Sequence, residues 1–163
     1  MAVGVALLAF DVYVVWNLLN GAPYVPSKKG AVDRMAKCAN AGPGKKCADI
    51  GSGDGRIVVA MAQAGAEAHG YENNPLLVWW SRAKIKRLGL QDRAFIHREN
   101  FWKSDFSQFD AVTLFGISHI MKRLWSKLQS ELKPGALIVS NAFTFPGTEP
   151  IAKDDGIFVY AKN

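Results

Sequence analysis

The sequence predicts an α/β protein built on a doubly wound, mostly parallel sheet, preceded by an apolar helix. Two observations carry this. Short apolar runs alternate with helix-forming stretches from residue 46 to residue 141, the pattern of parallel strands joined by crossover helices. In addition, the first of these runs, Cys47-Ala48-Asp49-Ile50, meets glycines at 51, 53 and 55, and a helix-forming stretch starts at once with Arg56. Such a bare turn is costly in backbone entropy and lets the main chain approach a ligand at a helix N-terminus. With 163 residues, the chain fits one domain with a substantial core.

Taken in order, residues 1–20 are almost wholly apolar, interrupted by Asp11 and Asn17. A helix of that length would just reach across a ~30 Å hydrocarbon layer. Asp11 near its middle opposes free spanning by roughly 2.5–3.5 kcal/mol. No basic residues precede the run and no small-residue cleavage site follows cleanly, so a signal peptide fits poorly. The segment is a candidate membrane anchor, spanning or embedded, with a helix packed on the domain or on a partner as the alternative. Lys28, Lys29, Arg34 and Lys37 follow it, so a spanning anchor leaves the domain on the cytoplasmic side.

Residues 21–27 form a linker that Pro23 and Pro26 hold extended. The domain proper is 28–163. Ser27 is a plausible N-cap for a helix through Val32, Met35, Ala36 and Ala39. A strand is expected at 46–50, a helix at 55–64 and a short strand ending at Glu72. A helix from Pro75 to about Leu88 follows, then the strand "RAFIHREN" and the strand "DAVTLFG". Helix 118–132, the strand "ALIVSNAF" and a closing strand "GIFVYAK" complete the order. Ligands of such sheets sit at the carboxyl ends of the strands.

Composition excludes several chemistries. Cys38 and Cys47 have neither metal nor disulfide spacing, and His69, His97 and His119 are scattered, so no metal is expected. The net charge of +6 indicates only a preference for anionic partners or surfaces. A phosphate-binding P-loop fails because Gly51 is followed by Arg56 rather than Gly-Lys, and a dinucleotide fingerprint fails because the third glycine is at 55. What stands is Asp49-x-Gly51-x-Gly53-x-Gly55, the pattern of S-adenosylmethionine (SAM) methyltransferases of the doubly wound class. Glu72, ending the second strand, can accept hydrogen bonds from both ribose hydroxyls. Ser52 within the turn and Asn73 beside Glu72 belong to the same group. Asn100 would offer an amide to an adenine edge and Phe101 a ring to pack on it, although a loop Asn-Phe pair is also an ordinary turn and core anchor.

The chain as a whole resembles the seven-β-strand protein-lysine methyltransferases. The residues that carry this are "PYVPS", "DIGSGDGRIVVA", "GYENNPLLVWWSR", "NFWKSDFSQFDAVTLFG" and the late "FTFP". It is similar to the mitochondrial enzymes that methylate the adenine nucleotide translocase and the ATP synthase c-subunit. A broad-specificity archaeal lysine methyltransferase is more distant. The resemblance runs from about residue 22 to 147. It implies a Rossmann-like class I SAM-dependent methyltransferase that binds SAM through Asp49, Gly51, Gly53 and Glu72 and acts on a protein lysine. It also implies an acceptor pocket between "PYVPS" and the loop after strand four, where Tyr24, Phe115 and Gly116 would frame the amine, with no general base assigned. An apolar segment precedes the domain in those relatives too. The expected setting is therefore a membrane, with the domain on its cytoplasmic or mitochondrial inner side and a membrane protein as substrate. Two departures stand out: "GISHIM" replaces a Pro-Gln pair, and the short tail after Pro150 leaves room only for a reduced edge hairpin.

Competing readings remain open. Tyr24 could simply pack the linker onto the domain. Nucleic-acid methylation is the runner-up: Arg82, Lys84, Lys86, Arg87, Arg93 and Arg98 could contact phosphates, or form a solvated face or meet anionic lipid. "LFGISH" stands, however, where amino-methylating nucleic-acid enzymes carry (N/D)PP(Y/F/W). Trp79 and Trp80 invite base stacking, but their spacing with Leu76, Leu77 and Ala83 puts at least one in the core. A silent SAM-fold module is the third class; the intact turn and Glu72 argue against it.

Overall fold

A computed structural model of the protein describes residues 29–116 and 118–162. Residues 1–28, and with them the expected apolar helix, the linker, the Ser27 cap and Tyr24, lie outside the described residues.

The element order is α1 (Lys29–Cys38), β1 (Lys46–Ile50), α2 (Arg56–Gln63), β2 (Glu67–Tyr71), α3 (Pro75–Arg87), β3 (Ala94–His97), β4 (Ala111–Phe115), α4 (Ser118–Glu131), β5 (Leu137–Asn141), β6 (Ala152–Asp154) and β7 (Ile157–Ala161). The strands form one sheet in the order β3-β2-β1-β4-β5-β7-β6. Pairings from β3 through β5 are parallel, and β7 runs antiparallel to both β5 and β6. The doubly wound, mostly parallel sheet expected from the sequence is present, and the reduced edge hairpin is the three-residue β6 with β7.

Successive strand residues point to opposite faces, so each strand feeds two cores. Cys47, Ala111, Val139 and Ile157 pack with Val32 and Met35 of α1, Ile57, Val58 and Met61 of α2, and Val78 and Ile85 of α3. On the other face Ala48, Val112, Leu114 and Ile138 pack with Met121, Leu124 and Leu128 of α4 and with Phe106, Phe109 and Tyr160. Burial pushes the Cys47 thiol up to about 11, which makes it an inert core residue; both cysteines are free.

Two expectations need correction. The third strand ends at His97 rather than Asn100, because Arg98, Glu99 and Asn100 are exposed polar residues past the last β2 partner, Tyr71. Trp79 and Trp80 are both outside the core, 73% and 61% exposed. Val78, Ser81 and Ile85 form the buried stripe of α3, and at 100° per residue that turns positions 79 and 80 outward. The basic run is solvated apart from half-buried Lys84: Arg82, Lys86, Arg87, Arg93 and Arg98 are exposed. Arg82 donates to the Ile96 carbonyl from Nε and Nη2, Lys84 pairs with Asp54, and Arg93 pairs with Asp92. Among the described residues, no helix is long and apolar enough to cross a membrane.

Candidate functional site

The chain runs outward from β1 to β2 and β3, then returns to β4 on the other side of β1. The chain therefore leaves the carboxyl ends of β1 and β4 toward opposite faces of the sheet, and the crevice outside those ends is where sheets of this class take ligands. Asp49 and Thr113 are register partners at that point. Thr113 Oγ1 donates to Asp49 Oδ1 at 2.7 Å and lies 3.2 Å from the Ala48 carbonyl. Asp49 is 2% exposed. Removal from water pushes its carboxyl up to about 7; the Thr113 hydroxyl pulls the other way, and the Glu72 and Asp54 carboxylates add to the rise. A buried acid with only a hydroxyl for company is under-compensated, and a cation beside it would restore the balance.

The turn that follows is held by its own hydrogen bonds. Gly51, Gly53 and Gly55 sit at φ 72°, 54° and 74°. The Gly51 and Ser52 N–H groups both donate to the Tyr71 carbonyl at 2.9 and 3.0 Å, and the Gly55 N–H donates to Ser52 O at 2.8 Å. The Gly53 N–H donates to Glu72 Oε2 at 3.0 Å, and the Asn74 N–H to Glu72 Oε1 at 2.8 Å. The sequence pattern suggested that these amides face a ligand; instead they close the turn and clamp Glu72. Each carboxylate oxygen of Glu72 thus takes one amide and keeps a second lone pair for another donor. A Cβ on Gly51 would meet nothing within 4 Å, so open space lies beside the turn.

The glycine that the close approach requires is one the sequence did not single out. A Cβ on Gly70, the register partner of Asp49 on β2, would lie 2.7 Å from Ser52 Cβ and 2.7 Å from Ile96 Cδ1. Without side-chain bulk there, Ser52 folds down over β2. Its Oγ is buried with no hydrogen-bond partner among the described residues. Asp54 pins the turn to α3 by accepting from Arg56 Nε at 2.8 Å and Lys84 Nζ at 2.6 Å. Burial alone would raise the Asp54 carboxyl, but the Arg56 and Lys84 cations hold it below its ordinary value. Asn74 caps α3 by accepting from the Leu76 and Leu77 N–H groups, with Pro75 at the first helical position. Asn73, beside Glu72, is exposed. Asn100 lies beyond β3 and its Oδ1 accepts from the Trp102 N–H at 3.0 Å, which leaves its amide NH2 free of that bond. Phe101 is half-buried against Trp102, ring centroids 4.7 Å apart, and the Arg123 guanidinium lies 4.1 Å over the Trp102 ring.

Across the crevice the chemistry changes. Phe115 ends β4 and meets Phe143 edge to face at 5.7 Å. Gly116 is buried against Met121, and a Cβ there would overlap the Met121 sulfur. Phe143 is held by Ser140 Oγ, which donates to its carbonyl at 2.6 Å. Just before it, Ala142 occupies the left-handed region at φ 67° and its N–H donates to Gly156 O at 2.8 Å. A left-handed alanine is strained by roughly 1–2 kcal/mol, and such strain gathers at functional sites. Thr113 and Phe143 are the residues sequence reasoning missed on this side. A lone hydroxyl within the apolar "AVTLF" was the available signal for Thr113.

Residues 49–152 match the family described as the ANTKMT methyltransferase domain. The chain is 41% identical over 128 residues to the lysine N-methyltransferase of the ATP synthase c-subunit from rat (Rattus norvegicus), covering 78% of this chain and 59% of that protein. It thus spans less than two thirds of that relative's length. A protein-lysine N-methyltransferase of the archaeon Saccharolobus islandicus is 35% identical over 139 residues, covering 82% of this chain and 86% of that protein. Among solved structures, an RNA methyltransferase from Salinibacter ruber in complex with S-adenosyl-L-homocysteine superposes with a TM-score of 0.81 at 30% identity, covering 85% of this chain and 94% of that one. The chain belongs to the ANTKMT methyltransferase domain family, with the class I SAM-methyltransferase fold.

Proposed function

We propose that this family member binds S-adenosylmethionine at the β1–β2 turn and transfers its methyl group to the ε-amine of a protein lysine. The observation that carries the reading is the pairing of a buried acid at the switch point, Asp49, with a clamped Glu72 whose carboxylate keeps acceptor capacity. That acceptor set suits a ligand that is both cationic and rich in hydroxyls. When bound, S-adenosylmethionine supplies a methyl group activated by a sulfonium.

The chain's own residues divide the work. Glu72 accepts from the ribose hydroxyls, with Asn73 beside it. Asp49 offsets the ligand's positive charge. Gly51 leaves the space, and Ser52, Gly53 and Gly55 shape the turn. The Asn100 amide reads the adenine edge and Phe101 packs beside it. On the acceptor side Tyr24, Phe115 and Gly116 frame the amine, and Phe143 adds a wall. An aromatic lining excludes water, which lowers the pKa of a lysine from its usual ~10.4 and makes the neutral nucleophile accessible. No side chain is assigned as general base; the pocket favours the neutral amine, whose proton passes to solvent. Alignment then supplies much of the rate.

The rat relative is named for the ATP synthase c-subunit and the archaeal one for protein lysine, which supports a protein substrate here. The apolar residues 1–20 support a membrane setting and a membrane-protein substrate, with the domain on the cytoplasmic or mitochondrial inner side. A second reading, RNA methylation, is favoured by the likeness to the Salinibacter ruber enzyme.

Membrane and soluble lysate fractions incubated with the full chain and labelled S-adenosylmethionine should yield methyl-lysine in protein. Label confined to RNA overturns the lysine assignment and promotes the second reading. Glu72→Ala should lose roughly 30- to 150-fold in cofactor affinity, about 2–3 kcal/mol for charge-assisted bonds. Affinity within a factor of two of the parent removes Glu72 from the site.

A further inference from the structure

The outward face of α3 carries an apolar surface that nothing among the described residues covers. Leu76 and Trp79 are each 73% exposed and Trp80 is 61% exposed. At 100° per residue, Leu76, Trp79, Trp80, Ala83, Lys86 and Arg87 share one sector of the helix, about a third of its circumference. The opposite face is the buried stripe Val78, Ser81 and Ile85. Clustered exposed indoles are rare on a solitary soluble domain and mark a contact surface.

Charge narrows the partner. The α3 sequence, PLLVWWSRAKIKR, contains no acidic residue. Lys84 pairs with Asp54, and exposed Arg82 donates from Nε and Nη2 to the Ile96 carbonyl. Lys86 and Arg87 have no ion pair among the described residues and are exposed. The face is therefore aromatic over its first two turns and cationic over its last. Indoles favour the boundary between apolar and wet phases, and basic side chains beside them favour anionic headgroups. Lys86 and Arg87 make a short cationic end to this face and not the basic groove along which a single strand of nucleic acid tracks. The apolar residues 1–20, joined to the domain by the linker 21–27, also favour lipid.

We propose that this face of α3 docks on an anionic phospholipid surface, with Trp79 and Trp80 at the interface and Lys86 and Arg87 on lipid phosphates. The inference stands on the surface of α3 and not on the identity of the methyl acceptor. Because α3 starts directly after Glu72-Asn73-Asn74, docking would hold the carboxyl edge of the sheet close to the membrane.

The test uses the full chain with phosphatidylcholine/phosphatidylglycerol vesicles carrying a brominated phosphatidylcholine quencher. Emission of the parent minus that of the Trp79→Phe/Trp80→Phe variant isolates this pair from Trp16, Trp102 and Trp125. Expected is at least about a two-fold loss of the pair's emission on brominated anionic vesicles, little loss on neutral ones, and none in Lys86→Glu/Arg87→Glu. Unchanged cofactor affinity in each variant certifies its fold. Pair emission equal on brominated and plain anionic vesicles overturns the proposal, whether or not the chain sediments with them. So does quenching by oligouridylate without lipid, which assigns the face to nucleic acid, or a concentration-dependent blue shift without lipid, which assigns it to a second copy.

Discussion

Two corners of the same sheet edge are built from different materials. At the β1–β2 corner, turn amides and the Glu72 carboxylate are tied together, from the Tyr71 carbonyl through Glu72 to Asn74. At the β4–β5 corner, two edge-to-face rings and a left-handed alanine do the shaping. Hydrogen bonds and charge hold a small polar ligand in one orientation, whereas rings exclude water and tolerate different acceptors. The first corner should therefore govern affinity for the cofactor and the second turnover.

The strongest challenge to that division is Asp49→Asn, which deletes the charge and keeps an acceptor for Thr113. At pH 8, cofactor affinity should fall more than ten-fold, consistent with about 1.5–3 kcal/mol for a charged contact. The free protein should move in the opposite direction. Its Asp49 carboxyl titrates near 7 rather than at the ordinary 3.8, so between those values the folded chain binds the proton that the unfolded chain has lost. Stability then declines as pH rises from about 4 to 7 and stays low above. The variant should lack that decline and melt higher than the parent at pH 8. In the parent, affinity for the cationic cofactor should strengthen as pH rises through 7. Calorimetric titrations and thermal melts across pH 5–8 measure both; pH-independent affinity in the parent breaks the assignment of Asp49.

Phe143→Ala probes the other corner at intermediate size. Turnover should drop roughly 3- to 10-fold, about 1 kcal/mol of lost positioning, with cofactor affinity within a factor of two. Equal losses in both would merge the two corners into one. The smallest effect belongs to Ala142→Gly. Relief of left-handed strain, less the entropy of the added glycine, should leave a gain of about 0.5–1 kcal/mol and a melting point higher by roughly 1–3 °C. A loss of turnover in this otherwise stabilised variant would tie the strain to function.

What the sequence made legible follows the same divide. β1 spans Lys46–Ile50 as its apolar run indicates, and Asp49, the glycine turn and Glu72 meet in one place because the sheet period and the turn dictate it. Thr113 escaped notice because its role depends on a register between strands 64 residues apart, and Gly70 because its neighbour Ser52 arrives from another element. An edge hairpin was expected, but β6 left no mark of its place in the chain: Ala152, Lys153 and Asp154 are all exposed and show no alternation. Trp79 and Trp80 misled because α3 is apolar on both faces, so periodicity alone could not say which side is buried. The β4–β5 corner left the weakest trace, since rings in contact look like core in any sequence.

The doubled acceptance at the Tyr71 carbonyl, from Gly51 and Ser52, has a kinetic meaning. A turn already closed by its own amides has no segment to order when a ligand arrives. Association at this corner is then a single collision, with an observed rate that climbs in proportion to ligand concentration instead of levelling off. Differences between ligands would show up in how long each one stays rather than in how fast it is captured.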